Sequence, residues 1–146
     1  MKISVGTDHR GIEQKQMVTE IARQLGHEVV DHGTNSTESC DYPDIAKSVG
    51  ESVAGQQTDK GILICGTGIG MSIAANKING VRAAVCDTVR KATLSRQHND
   101  ANVLCIPGDS FEEELVQEMV SQWLSTDFEG GRHARRVDKI RELDGC

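Results

Sequence analysis

Short apolar runs separated by stretches with an apolar residue at every third or fourth position organise the chain. Lys2 to Gly6 reads as a first strand, and Val18, Ile21, Ala22 and Leu25 form one face of a helix from Ile12 that Gly26 ends. His27 to Asp31 is a short second strand. A polar loop, His32 to Tyr42, leads to Pro43, a good first helical residue, and to Ile45, Ala46, Val49 and Val53 on one face. Gly61 to Cys65 predicts a third strand and about Ile69 onward a helix. Val81 to Cys86 predicts a fourth strand, and Thr88 to about His98 a helix carrying Val89, Ala92 and Leu94. Asn102 to Ile106 predicts a fifth strand, broken by Pro107-Gly108. A capping box, Ser110-x-x-Glu113, then opens a helix with Phe111, Leu115, Val116, Met119, Val120 and Trp123 as its apolar stripe. After Glu129-Gly130-Gly131 a last helix is expected from about Arg132 to Leu143.

Strand and helix alternate throughout. This predicts one α/β domain over residues 1–146, a Rossmann-like three-layer sandwich with a five-stranded parallel sheet and helices on both faces. In such sheets ligands bind beyond the carboxyl ends of the strands, near the point where strand order reverses. That rule selects Asp8 and His9 after the first strand and Cys65 to Gly70 after the third.

Aromatic residues make up only 3% of the 146 residues, so Val, Ile, Leu and Ala must build the core. A net charge of -6 argues against general nucleic-acid or anionic-membrane binding, while leaving room for a local basic pocket. No leader-like segment and no apolar run of membrane-spanning length is apparent. Cys40, Cys65, Cys86, Cys105 and Cys146 are scattered, with no C-x-x-C pair, so neither a metal knuckle nor a disulfide framework is expected. A reducing cytoplasm is the expected setting.

The segment Cys65-Gly66-Thr67-Gly68-Ile69-Gly70 carries the most chemistry. A glycine-rich turn into a helix aims backbone N–H groups at an anion or oxyanion, and the same field gives a cysteine thiolate character. It matches neither the dinucleotide fingerprint nor a P-loop. Cys65 reads either as a reactive thiol exposed by the glycines or as a small strand-end hydrophobe, the reading given to Cys86 and Cys105. Thr67 reads as an N-cap or as a donor to a substrate oxygen. Asp8-His9 reads equally as an N-cap and a surface residue of the first helix, and His98-Asn99-Asp100 as a polar helix exit. Arg132, Arg135, Arg136, Lys139 and Arg141 read as a solvated basic face, although Arg132 and Arg136 project together and suit a phosphate clamp.

Asp8-His9, Asp41-Tyr42-Pro43, Cys65 to Gly70, Ser95-Arg96-Gln97-His98-Asn99-Asp100 and Gly130-Gly131-Arg132-His133 together closely resemble the type-B ribose-5-phosphate isomerases, a family that includes galactose-6-phosphate isomerase subunits. The resemblance runs from about Val5 to Arg136. It implies a cofactor-free and metal-free aldose–ketose isomerase acting on a sugar phosphate, favouring ribose 5-phosphate to ribulose 5-phosphate. A six-carbon aldose phosphate (allose or galactose 6-phosphate) or an unphosphorylated sugar is the alternative. By the same resemblance Cys65 is the base, and Gly66, Thr67, Gly68, Ile69 and Gly70 hold the oxyanion. His98 is the ring-opening acid, Asp8 and Asn99 hold hydroxyls, and His9, Arg132 and Arg136 grip phosphate with His133 nearby. His98 precedes the fifth strand while Cys65 ends the third. One subunit is therefore expected not to unite them, and a homodimer or larger assembly is predicted, with His98 crossing the interface and the last helix near the partner. After the fifth strand, relatives commonly carry Gly-Ser/Ala-Arg, whose arginine helps bind phosphate. This chain has Pro107-Gly108-Asp109-Ser110 there and an arginine, Arg10, after Asp8-His9. A non-catalytic phosphosugar or nucleotide sensor and a cysteine hydrolase with His9 as base are the competing classes.

Overall fold

The computed structural model describes residues 1–109 and 112–145. In chain order its elements are β1 (Lys2–Thr7), α1 (Ile12–Gln24), β2 (Glu28–Asp31), α2 (Tyr42–Ala54), β3 (Lys60–Cys65), α3 (Ile69–Ala75), β4 (Ala83–Val85), α4 (Val89–Asn99), β5 (Val103–Pro107), α5 (Glu113–Ser125) and α6 (Arg132–Arg141). The five strands pair in parallel in the order β2-β1-β3-β5-β4, the three-layer α/β sandwich that the alternation predicts. Side chains alternate across the sheet. Ile62, Ile64, Leu104 and Ile106 pack with Val18, Val116, Met119 and Trp123 on one face, under α1, α4 and α5. Leu63, Cys65, Val103 and Cys105 pack with Ala46, Val49, Met71 and Ala75 on the other, under α2 and α3.

Strand order reverses at β1 and β3. Connection leaves β1 toward β2 and returns across it to β3, so the loops after β1 and β3 diverge to opposite faces and open a crevice between them. Register places Thr7 beside Ile64, and the Thr7 hydroxyl donates to the Ile64 carbonyl at 3.1 Å. A buried lysine steadies the β1 side. Lys15 is 2% exposed, and its ammonium donates to Asp31 at 2.8 and 2.9 Å, to the Thr34 carbonyl at 2.9 Å and to Asn35 at 2.6 Å. Burial works against the Asp31 charge, but the Lys15 ammonium and the Gly33 amide outweigh it and hold that carboxyl below its usual range. The loop so pinned exchanges backbone bonds with Thr7 at 2.8 Å through Gly33 and Thr34.

Edges depart from expectation where side chains replace the ladder. The fourth strand spans Ala83–Val85, shorter than Val81 to Cys86, because the Asn102 and Asn76 amides take the backbone N–H groups of Arg82 and Ala83 at 2.7 and 2.8 Å. The last helix stops at Arg141, two residues early, and Asp144 beyond it accepts from the Gly80 amide at 2.8 Å. The Ser110-x-x-Glu113 box rests on Ser110, which with Phe111 lies outside the described residues, and the helix itself begins at Glu113.

Lys60 opens β3 with its ammonium 5.4 Å from the centre of the Trp123 ring. Burial first, then repulsion from Arg96, lowers its pKa from 10.5 to about 8, against the pull of Asp100, Asp127 and Asp59. Between those values the unfolded chain keeps a proton that the folded chain has lost, so this group makes stability rise with pH. Urea unfolding across that window should show Lys60→Met more stable than the parent at its lower end, with a flatter pH dependence.

Candidate functional site

Two groups of site residues form, one at each end of the sheet. At the carboxyl end lie Asp8, His9, Cys65 and the turn Gly66 to Gly70. Asp8 is 5% exposed, and its Oδ1 accepts from the Arg10 amide at 2.9 Å, leaving Oδ2 for another donor. His9 Nδ1 accepts from the Cys40 amide at 3.2 Å, so as placed the ring carries its proton on Nε2. Cys65 ends β3 and is 5% exposed, packed with Leu63, Met71 and Cys105. Of the two readings of Cys65, its burial in this chain matches the strand-end one, and the glycines do not expose the thiol. Burial pushes the neighbouring thiols up, Cys86 to about 11 and Cys105 well above its usual value, consistent with their reading as small hydrophobes.

The turn is built from close approaches. Gly68 has φ 77°, and a Cβ there would lie 3.2 Å from the backbone of Ile106 and Pro107. A Cβ on Gly70 would lie 2.6 Å from the Tyr42 ring, so Tyr42 of α2 walls the turn. Thr67 is not the N-cap, a position that Gly68 takes without a side-chain bond. The Thr67 Oγ1 accepts from the Ile69 amide at 3.2 Å, which leaves the hydroxyl proton free to donate outward. That bond occupies the Ile69 N–H, one of the amides expected from sequence to hold the oxyanion. Asp109 is paired with Arg10 beside Gly66: both its oxygens accept from Arg10 Nη2, at 2.9 and 2.8 Å. Tyr42 and this ion pair were not assigned as site residues from sequence. The positive φ demanded at Gly68 and the charge change at Asp109 were the available signals.

At the amino end lie His98, Asn99, Arg132, His133 and Arg136. The C-terminal end of α4 is fixed by Asp100 (φ 47°), whose carboxylate accepts from Arg96 at 2.9 Å and from Arg82 at 3.3 Å. The loop between α5 and α6 is tied to α4 by the Glu129 amide donating to the Gln97 carbonyl at 3.1 Å, and positive-φ Gly130 and Gly131 turn the chain into α6. This stacks the His98 and His133 rings 4.2 Å apart and nearly parallel at 11°. His133 is buried, whereas Arg132 and Arg136 point outward on one helix face. Ligand atoms of His98, Glu129 and His133 lie within 4.8 Å of one another. An ion shared by both imidazoles would have to lie near the plane of each ring, about 2 Å from its nitrogen. Two stacked rings as placed have no such common point.

The register Gly61↔Val103 to Cys65↔Pro107 shows how far apart the halves are. Four strand residues cover about 13 Å, and His98 lies before the near end. Cys65 and His98 are not brought together within one chain.

Residues 3–140 match the ribose/galactose isomerase family. The chain belongs to it. Ribose-5-phosphate isomerase B of Escherichia coli is 48% identical over 143 residues, 98% of this chain and 96% of that protein. The structure of ribose-5-phosphate isomerase B from Clostridium thermocellum superposes with a TM-score of 0.95 at 48% identity, covering 98% of this chain and 97% of the other. That from Mycoplasma genitalium, with bound ribulose-5-phosphate, gives 0.93 at 41% identity over 97% and 94%. This member of the ribose/galactose isomerases is a sugar-phosphate aldose–ketose isomerase. Among the described residues no helix is long and apolar enough to cross a membrane.

The isomerase's paired imidazoles make a direct test of the local field. Burial first, then repulsion from His98 and Arg132, lowers the His133 pKa from its usual value, with Glu129 opposing. In an NMR titration His98→Asn should raise the His133 pKa, and Glu129→Gln should lower it further.

Proposed function

We propose that the chain interconverts D-ribose 5-phosphate and D-ribulose 5-phosphate, with Cys65 as the base. The observation that supports this reading is the β1/β3 reversal, which sets Asp8 after β1 beside Cys65 and the glycine turn at the end of β3, with the Asp8 amide donating to the Ile64 carbonyl at 3.3 Å. The Cys65 thiolate takes the proton from C2 of the open-chain aldose. The C2–H electron pair forms the C1–C2 double bond, and charge moves to the carbonyl oxygen. Amides of Gly66, Gly68 and Gly70 and the free Thr67 hydroxyl proton stabilise that oxygen. Transfer of a proton from O2 to O1 and return of the thiol proton to C1 complete the ketose. Asp8 Oδ2 and Asn99 hold hydroxyls.

The unit of activity in this reading is a homodimer or larger assembly of single-domain chains. The partner's amino-end half meets this chain's carboxyl-end half. His98 then protonates the ring oxygen of the cyclic sugar, with His133 stacked on it. His9, Arg132 and Arg136 bind the phosphate, and α6 lies against the partner. Exposed Ile69 and Ile73 beside the crevice give such an interface an apolar centre. A cysteine hydrolase fits less well, because the His9 ring is engaged by Cys40 rather than by Cys65. The free thiols of Cys40, Cys65, Cys86 and Cys105 suit a reducing cytoplasm.

A coupled assay across five- and six-carbon aldoses, with and without phosphate, tests the substrate. Highest kcat/KM is expected on ribose 5-phosphate; turnover of none of them defeats the reading. Cys65→Ala should lower kcat about a thousandfold with the thermal transition retained. Mixing Cys65→Ala with His98→Ala under demonstrated subunit exchange should restore about a quarter of the parent activity, because half the dimers would then hold one intact site. No recovery would show that each site is built within one chain.

A further inference from the structure

The Arg10–Asp109 pair bridges the loop after β1 and the loop after β5, and β3 lies between those strands. The pair therefore straps across the carboxyl end of β3, over the start of the glycine turn. A Cβ on Gly66 would lie 2.7 Å from Arg10 Nη1 and 2.9 Å from Asp109 Oδ2, so the guanidinium rests against that glycine. The strap's base is backbone: the Gly108 amide donates to the Cys65 carbonyl at 2.8 Å and the Asp109 amide to the Gly66 carbonyl at 3.0 Å. Arg10 follows His9 directly.

We propose that Arg10 is a substrate-binding residue for the anionic end of the sugar phosphate, and that Asp109 is an internal competitor which a phosphate dianion must displace from it. The proposal rests on the sugar-phosphate reading of this crevice. Magnitudes favour the exchange. Side chains of Arg10 and Asp109 are 55% and 49% exposed, and exposed ion pairs are weak. A phosphate dianion brings twice the charge and a bidentate match to the guanidinium, in a partly desolvated crevice where charge-assisted bonds are strong. A neutral hydroxymethyl group cannot displace a carboxylate. The pair thus stays closed toward unphosphorylated sugars and opens for the dianion, which makes it a selectivity element.

Inorganic phosphate is the probe, with binding measured by calorimetry and by competition in the isomerase assay. Arg10→Gln should weaken phosphate about tenfold and raise KM for the phosphorylated sugar, with kcat little changed. Asp109→Asn should tighten phosphate severalfold and lower KM. The double variant should bind phosphate better than Arg10→Gln alone, because the orphaned carboxylate that repels the anion is gone. Unchanged phosphate affinity in Arg10→Gln, or weaker affinity in Asp109→Asn, would overturn the proposal. Calorimetry needs no turnover, so these outcomes remain readable if no sugar is isomerised and the functional reading alone fails.

Discussion

Parallel pairing of β1 with β3 is the constraint on which the molecule turns. Because the chain leaves β1 in one direction and comes back past it to β3, the two loops beyond these strands cannot pack over each other. Beside that divergence lie a buried thiol, Cys65, and a buried carboxylate, Asp8. Register keeps the two strand ends close, since Thr7 and Ile64 are neighbours and the Thr7 hydroxyl closes the ladder at its last rung.

Each half of the site is anchored by a buried cation. Lys15 holds the loop that pairs with Thr7, and through it the backbone that presents Asp8. Arg96 holds Asp100 and the Ala101 carbonyl, and through them the end of α4 that presents His98. Both charges are satisfied by several oxygens, and removing such partners leaves an uncompensated charge where water cannot help. Rigid anchoring at the two ends of one sheet leaves Asp8 and His98 little freedom of their own.

Most of the architecture was legible from periodicity, because strands buried on both faces and amphipathic helices write different repeats. Val18, Ile21 and Ala22 and the stripe from Val116 to Trp123 are buried where the spacing puts them. Strand ends were less legible. At β4 the side-chain amides of Asn76 and Asn102 stand in for the ladder, and nothing in a hydrophobic pattern announces that. In the site, the glycine turn and the separation of Cys65 from His98 followed from strand order. The choice between an exposed and a buried Cys65 did not, since it depends on Met71 and Cys105 arriving from other elements. The partnership of Arg10 with Asp109 joins residues on loops beyond non-adjacent strands, and local spacing carries no record of it.

The chain's single tryptophan is fully buried on the α1/α5 face, donating to the Ser95 hydroxyl at 3.2 Å with Lys60 and Arg96 beside its ring. It stands on the opposite side of the sheet from the Cys65 thiol. Intrinsic fluorescence of this protein is consequently a gauge of α4–α5 packing and of the Lys60 charge. A ligand settling in the crevice would leave that signal dark, and an optical reporter of occupancy would have to be installed on the Tyr42 side.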